Sequence, residues 1–189
     1  MNIAILGYGT IGKGVFQIAN NNSLLNVKKI LEKKERYDND YIELFTSSID
    51  DIINDEKIEL VVEVLGGYDF AKSCIEKALQ NKKHVVTANK EIIAKDIDEL
   101  LSLAKENDVT LLYEASVGGG IPIIRPLNSS LTADEIEEIT GILNGTTNYM
   151  LTRMANGGSI TTDSLLKICV ALECKLDDIM ELVEDDSAE

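Results

Sequence analysis

Apolar positions along the chain alternate between two textures. Asn2–Leu6 (NIAIL), Val27–Leu31, Glu59–Leu65 (ELVVEVL), His84–Ala88 (HVVTA) and Val109–Tyr113 are short, nearly continuous apolar runs, which predict five strands. Between them, Ile11–Ala19, Tyr68–Gln80 and Ile97–Glu106 repeat apolar residues at helical spacing, and Ile49–Ile53 predicts a short helix behind the cap candidates Ser47 and Ser48. Strands alternating with helices at this spacing predict βαβ units and a parallel sheet. Strands this apolar are expected to be buried on both faces, so the fold class is α/β, a doubly wound parallel sheet.

After Tyr113 the texture changes. Glu114–Pro122 (EASVGGGIP) is glycine-rich, Glu135–Leu143 (EIEEITGIL) alternates like a strand, and Asn144–Met154 reads as a helix opening. Asn156-Gly157-Gly158-Ser159 breaks the pattern before two short amphipathic segments, Asp163–Leu172 and Leu176–Val183, and an acidic tail. The expected organisation is a sheet domain over 1–125, the start of a second domain over 126–156, and a short helical tail over 157–189.

Composition narrows the partners. With 33 acidic against 18 basic residues, the formal net charge of −15 repels phosphate backbones and disfavours nucleic acid. No apolar stretch approaches the roughly 20 residues that span a bilayer, and the start, interrupted by Gly7, Gly9, Gly12 and Gly14, does not read as a secretory signal. Cys74, Cys169 and Cys174 show no C-x-x-C spacing, which suggests reduced thiols and a cytoplasmic location.

Chemistry enters at Gly7-Tyr8-Gly9-Thr10-Ile11-Gly12, a G-x-G-x-x-G pattern directly after a strand and opening a helix. Gly7 would make the tight turn, Gly9 would let backbone approach a pyrophosphate, and Gly12 would let the helix pack close to the sheet. The bland alternative is a plain strand–helix turn; the position in a βαβ unit favours a Rossmann-type dinucleotide cradle. The ribose reader at the end of the second strand is open among Glu32, Lys33 and Lys34. Glu32 would favour NAD, and Lys33 or Lys34 would suit the 2′-phosphate of NADP; an ordinary solvated charge run is the third option. The basic residues tilt the expectation toward NADP, with Lys33 as the reader.

Four further segments occur in a fixed order: Val62–Gly67 (VEVLGG), Lys83–Lys90 (KHVVTANK), Tyr113–Ile124 (YEASVGGGIPII) and Gly141–Leu151 (GILNGTTNYML). Together with the glycine fingerprint they resemble homoserine dehydrogenase, over residues 1 to about 154. The resemblance implies reduction of aspartate semialdehyde to homoserine with NAD(P)H, in the biosynthesis of threonine, methionine and isoleucine. It places Gly7, Gly9, Thr10, Ile11 and Gly12 on the pyrophosphate and Lys90 beside nicotinamide and substrate, with Thr87 a further cofactor-binding candidate at the carboxyl edge of the sheet. Lys90 is the catalytic candidate, because an ammonium can stabilise and protonate the alkoxide formed by hydride addition to an aldehyde. His84, the only histidine, is expected to be structural. The resemblance also implies a monovalent cation such as Na+ held by the carbonyls of Glu114, Val117, Gly119 and Ile121. Successive glycines there permit the backbone turns such a cage needs, and a linker is the alternative.

Beyond Met154 the family's acidic substrate-binding segment, with its second catalytic lysine, is not recognisable. Ser159–Glu184 instead resembles the end of a small helix-turn-helix regulator, although its acidity argues against DNA binding. Lys167, Lys175, Asp177 and Asp178 are not assigned the missing roles. The expectation is therefore a truncated second domain, with nucleotide binding kept and turnover weak or absent. A non-catalytic nucleotide-binding module or a fusion remnant is the alternative. Apolar surface left uncovered would be satisfied by self-association, as in a homodimer.

Overall fold

The computed structural model describes residues 1–130 and Glu138. The chain divides into two compact units, Met1–Glu135 and Ile136–Glu189. The strand expected at Glu135–Leu143, apart from Glu138, and the helices expected beyond it lie outside the described residues.

Six parallel strands form one sheet: β1 (Asn2–Leu6), β2 (Asn26–Leu31), β3 (Phe45–Thr46), β4 (Leu60–Glu63), β5 (His84–Thr87) and β6 (Leu111–Leu112). Their order is β3-β2-β1-β4-β5-β6, with every neighbouring pair parallel. The helices are α1 (Thr10–Asn20), α2 (Asp50–Ile53), α3 (Asp69–Gln80), α4 (Lys90–Glu106) and α5 (Ile124–Ser130). The chain leaves β1 toward β2 on one side and returns to β4 on the other, so the carboxyl ends of β1 and β4 flank the point where strand order reverses. In open α/β sheets that crevice is where ligands bind.

The period-2 alternation of β1 builds both layers of the core. Ile3 and Ile5 pack with Phe16, Ala19, Val27, Ile30 and Phe45 on one face. Ala4 and Leu6 pack with Val61, Ile75, Leu79, Val85, Ile92 and Leu100 on the other. This confirms the doubly wound sheet expected from strands apolar on both faces. At the opposite edge from the crevice, Lys83 is buried and donates to the carbonyls of Asp55 and Ile58 at 2.8 and 2.9 Å. Burial pushes its amine below the ordinary lysine value, opposed by the charges of Asp55 and Glu56.

Three elements differ from the sequence expectation by more than their ends: α5 over Ile124–Ser130 and the strand β3 are additional, and α4 starts earlier. β3 is only two residues long, too short to carry a periodic signal, and pairs through Ile30–Phe45 and Leu31–Thr46. Helix α4 begins at Lys90 rather than Ile97, and Asp96 breaks its regularity with φ −128° and ψ 15°. Ile97 is thus the start of the second, straight segment of a longer helix.

Candidate functional site at the carboxyl edge of the sheet

The glycine loop is built by close contacts. The Gly7 amide donates to Leu31 O at 2.9 Å, tying the loop to β2. Gly7 has φ +101°, and a Cβ there would sit 2.7 Å from Val64 O; a Cβ on Gly12 would sit 2.0 Å from Gly7 O. Both positions therefore exclude any side chain. Gly9 has nothing within 4 Å of its hypothetical Cβ, so it faces open space. Gly9 is also the N-cap of α1, with no side-chain cap and no acidic residue in the first turn. The first amides of α1, at Thr10, Ile11 and Gly12, form a helix N-terminus suited to an anion.

On the β2 side of the loop lies a cleft of about 540 Å3, whose lining includes Gly7, Gly9, Glu32, Lys33, Arg36 and Gly66. Among the ribose-reader alternatives, Glu32 and Lys33 line it. The Glu32 carboxylate turns inward, accepting from Tyr8 N and Lys33 N, each at 2.9 Å. Arg36 lines this cleft and also the adjoining space beside Tyr8, Gly9, Thr10 and Lys13. Sequence reasoning missed Arg36. The only available signal was its place at the end of the basic run that begins at Lys33.

On the β5 side a smaller cleft, about 340 Å3, shares Val64, Leu65 and Gly66 with the first and adds Ile11, Glu63, Asn89 and Lys90. Lys90 is exposed and is the first residue of α4. Asn89 caps the helix, its side chain accepting from Ile92 N at 3.3 Å while donating to Gly67 O at 2.7 Å. Thr87 is fully buried beneath them. Its hydroxyl donates to Glu63 at 2.5 Å and accepts from Asn89 N at 3.0 Å. Thr87 therefore shapes the wall from below, while Lys90 faces the space.

The kink in α4 is held from α3. Asp96 accepts from Tyr68 Oη at 2.7 Å and from Lys72 Nζ at 2.9 Å, and Lys72 also reaches Glu99 at 2.8 Å. These donors, Tyr68 first, hold the Asp96 carboxyl below its usual range; the Glu99 and Asp96 contacts raise the Lys72 amine. Lys95 stacks its ammonium over the Tyr68 ring at 4.5 Å.

The remaining candidates lie together elsewhere, in the loop after β6. The Glu114 carboxylate caps α5, accepting from Ile123 N at 2.5 Å, Ile124 N at 3.1 Å and Arg125 N at 2.7 Å. The Ile123 amide leads in holding this carboxyl below its usual range. The main-chain carbonyl of Glu114 accepts from Val117 N at 3.5 Å, and Gly118 O accepts from Ile121 N at 3.1 Å. Gly118 and Gly119, with φ of +72° and +61°, fold this loop back on itself. Carbonyl oxygens alone are a donor set suited to a hard, singly charged ion. His84 accepts from Thr110 N at its Nδ1, a strand-edge contact in keeping with a structural role.

Comparison with known proteins bears on these features. The family model for the NAD-binding domain of homoserine dehydrogenase matches residues 7–114, and that for homoserine dehydrogenase itself matches 122–175. The second match runs past the boundary near 154 read from the motifs. It thus assigns much of the segment that resembles a helix-turn-helix regulator to this family instead. The homoserine dehydrogenase of Bacillus subtilis is 41% identical over 167 residues, covering 82% of this chain and 38% of the relative. That of Synechocystis is 41% identical over 169 residues, covering 84% and 39%.

Among solved structures, the homoserine dehydrogenase of Thiobacillus denitrificans superposes with a TM-score of 0.79 at 34% identity, covering 92% of this chain and 42% of that one. A hyperthermophilic archaeal homoserine dehydrogenase in complex with NADPH gives 0.72 at 30% identity, covering 91% and 61%. The chain spans about 40% of the length of the curated relatives it matches. With its α/β sheet, its glycine loop and both family matches in agreement, the chain belongs to the homoserine dehydrogenase family.

Proposed function

We propose that this chain binds NADP across the crevice at the carboxyl ends of β1 and β4 and takes part in the interconversion of aspartate semialdehyde and homoserine. The pyrophosphate would rest on the amides of Gly9, Thr10, Ile11 and Gly12 at the start of α1. Lys33 and Arg36, both lining the larger cleft, would hold the 2′-phosphate, while the inward-turned Glu32 braces the loop instead. One archaeal neighbour is a complex with NADPH, which supports this cofactor class. When bound at the smaller cleft, the nicotinamide supplies or accepts the hydride.

The observation that carries the catalytic reading is the placement of Lys90. Lys90 is the first residue of α4, is exposed, and lines the cleft together with Ile11 and Gly66. Helix N-terminus and ammonium concentrate positive potential where an alkoxide would form, and the ammonium can deliver the proton. Thr87 holds the β5–α4 junction rather than touching substrate. The carbonyls of Glu114, Val117, Gly119 and Ile121 would hold a monovalent cation such as Na+, serving to order the loop that leads out of the sheet.

The wider reading includes a sheet domain over 1–125, a catalytic segment over 126–156 and a tail over 157–189. It also includes a homodimer in the cytoplasm, with neither nucleic acid nor membrane as partner. No helix among the described residues is long and apolar enough to cross a membrane.

Homoserine-dependent reduction of NADP+ by the chain and by Lys90→Ala tests the catalytic assignment. Turnover that falls by about two orders of magnitude or more in the variant supports it. Turnover that survives the substitution removes Lys90 from the chemistry. Absence of turnover in the unaltered chain would confine its function to nucleotide binding.

A further inference from the structure

Glu63 ends β4 at the carboxyl edge of the sheet and is fully buried, yet it belongs to the wall of the smaller cleft with Lys90. Its Oε1 accepts from Leu65 N at 2.8 Å and its Oε2 accepts from the Thr87 hydroxyl at 2.5 Å. The Thr87 oxygen already accepts from Asn89 N. Both oxygens of the Glu63 carboxyl are thus engaged by neutral donors, Leu65 N and the Thr87 hydroxyl. Among the described residues no lysine, arginine or histidine nitrogen lies within 4.0 Å of it.

A buried charge held by two neutral donors and no cation is costly unless something cationic completes it. On the core side, burial pushes the Cys74 thiol up to about 11, with Lys77 lowering it and Glu63 adding the smallest contribution, upward. The proposed ligand changes charge at this end of the crevice. The oxidised nicotinamide ring carries a positive charge, and the reduced ring carries none. Lys90, lining the same cleft, would by itself oppose the cationic ring. A buried carboxylate beneath the shared wall offsets that opposition and leaves the ammonium free to act on the alkoxide.

We propose that Glu63 supplies a fixed negative charge to the nicotinamide end of the crevice, so that the site favours the oxidised, cationic ring over the reduced, neutral one. The inference rests on the nucleotide reading above. Glu63 tunes the electrostatics of the site and braces both loops of its wall.

The test is parallel titration of the 189-residue chain, Glu63→Gln and Glu63→Asp with NADP+ and with NADPH. In Glu63→Gln, affinity for NADP+ is expected to fall roughly three- to tenfold relative to that for NADPH, the effect of one unit charge at several ångströms in a partly buried site. Glu63→Asp keeps the charge and is expected to keep the affinity ratio within about twofold. The unaltered chain, which needs no variant to fold, is expected to bind NADP+ at least as tightly as NADPH. An unchanged ratio in Glu63→Gln, equal weakening of both nucleotides, or a tenfold preference of the unaltered chain for NADPH overturns the inference while leaving the nucleotide site standing. Failure of the unaltered chain to bind either nucleotide overturns the nucleotide reading itself, and this inference with it.

Discussion

The side chain of Asn89 donates to the carbonyl of Gly67 at 2.7 Å while accepting from the amide of Ile92. The loop after β4 and the first turn of α4 are thereby fastened together, with Lys90 between them. Asn89→Ala removes both contacts, and its unfolding free energy is expected to fall by about 1 kcal/mol for the lost cap, more if the Gly67 carbonyl stays unpaired. Asn89→Asp keeps the capping acceptor but cannot donate to Gly67, so it should lie between the two. Chemical denaturation of the three proteins ranks them; an alanine variant as stable as the original contradicts the assignment.

Gly9 and Gly12 should respond in opposite ways. Alanine at Gly9 meets nothing within 4 Å and sits at φ −75°, so the fold should be intact and nucleotide binding weakened by the methyl group in the crevice. Alanine at Gly12 drives a methyl group to 2.0 Å from Gly7 O, so thermal stability itself should drop. Thermal melts with nucleotide titrations separate the two; equal melting losses would mean that the loop does not have this geometry.

Arg36→Ala and Lys33→Ala should each weaken binding of NADPH by roughly tenfold, the scale of one charge-assisted contact to a phosphate, and leave NADH almost unaffected. The diagnostic quantity is the ratio between the two cofactors. A parallel loss for both would place these cations away from the 2′-phosphate.

Asp96 and Glu114 have their carboxyls held below the ordinary values of 3.8 and 4.5. A depressed folded value means that the ionised form is favoured in the folded state. The stability each contributes is present above the unfolded value and is lost as pH falls from there through the depressed one. Melting temperature should therefore decline below about pH 4.5, and Asp96→Asn should flatten that decline. An acid limb of unchanged slope in the variant would remove Asp96 from the linkage.

The apolar runs announced the sheet because Ile3, Ile5, Ala4 and Leu6 each face a packed layer, and burial on both sides leaves a continuous signal. The glycine loop was legible because its positions exclude side chains, as Gly7 and Gly12 do by contact with Val64 O and Gly7 O. Other features depended on contacts far apart in sequence. The α4 start at Lys90 was hidden because the apolar periodicity is interrupted at Asp96, whose geometry is held by Tyr68 and Lys72 from another helix. Glu63 was read only as part of a motif, since its role arises from Thr87, 24 positions away. Arg36 lies in a 3-10 turn that no periodicity marks, and only the folded chain brings it beside Gly9.

The central claim is that the crevice beside Gly9 is a dinucleotide site. Titrating the 189-residue chain with NADPH and NADH, followed by the fluorescence of the reduced nicotinamide, tests it most directly. Saturable binding of NADPH, tighter than NADH and reduced in Gly9→Ala, is the expected result. No saturable binding of either nucleotide to the folded chain would contradict the account.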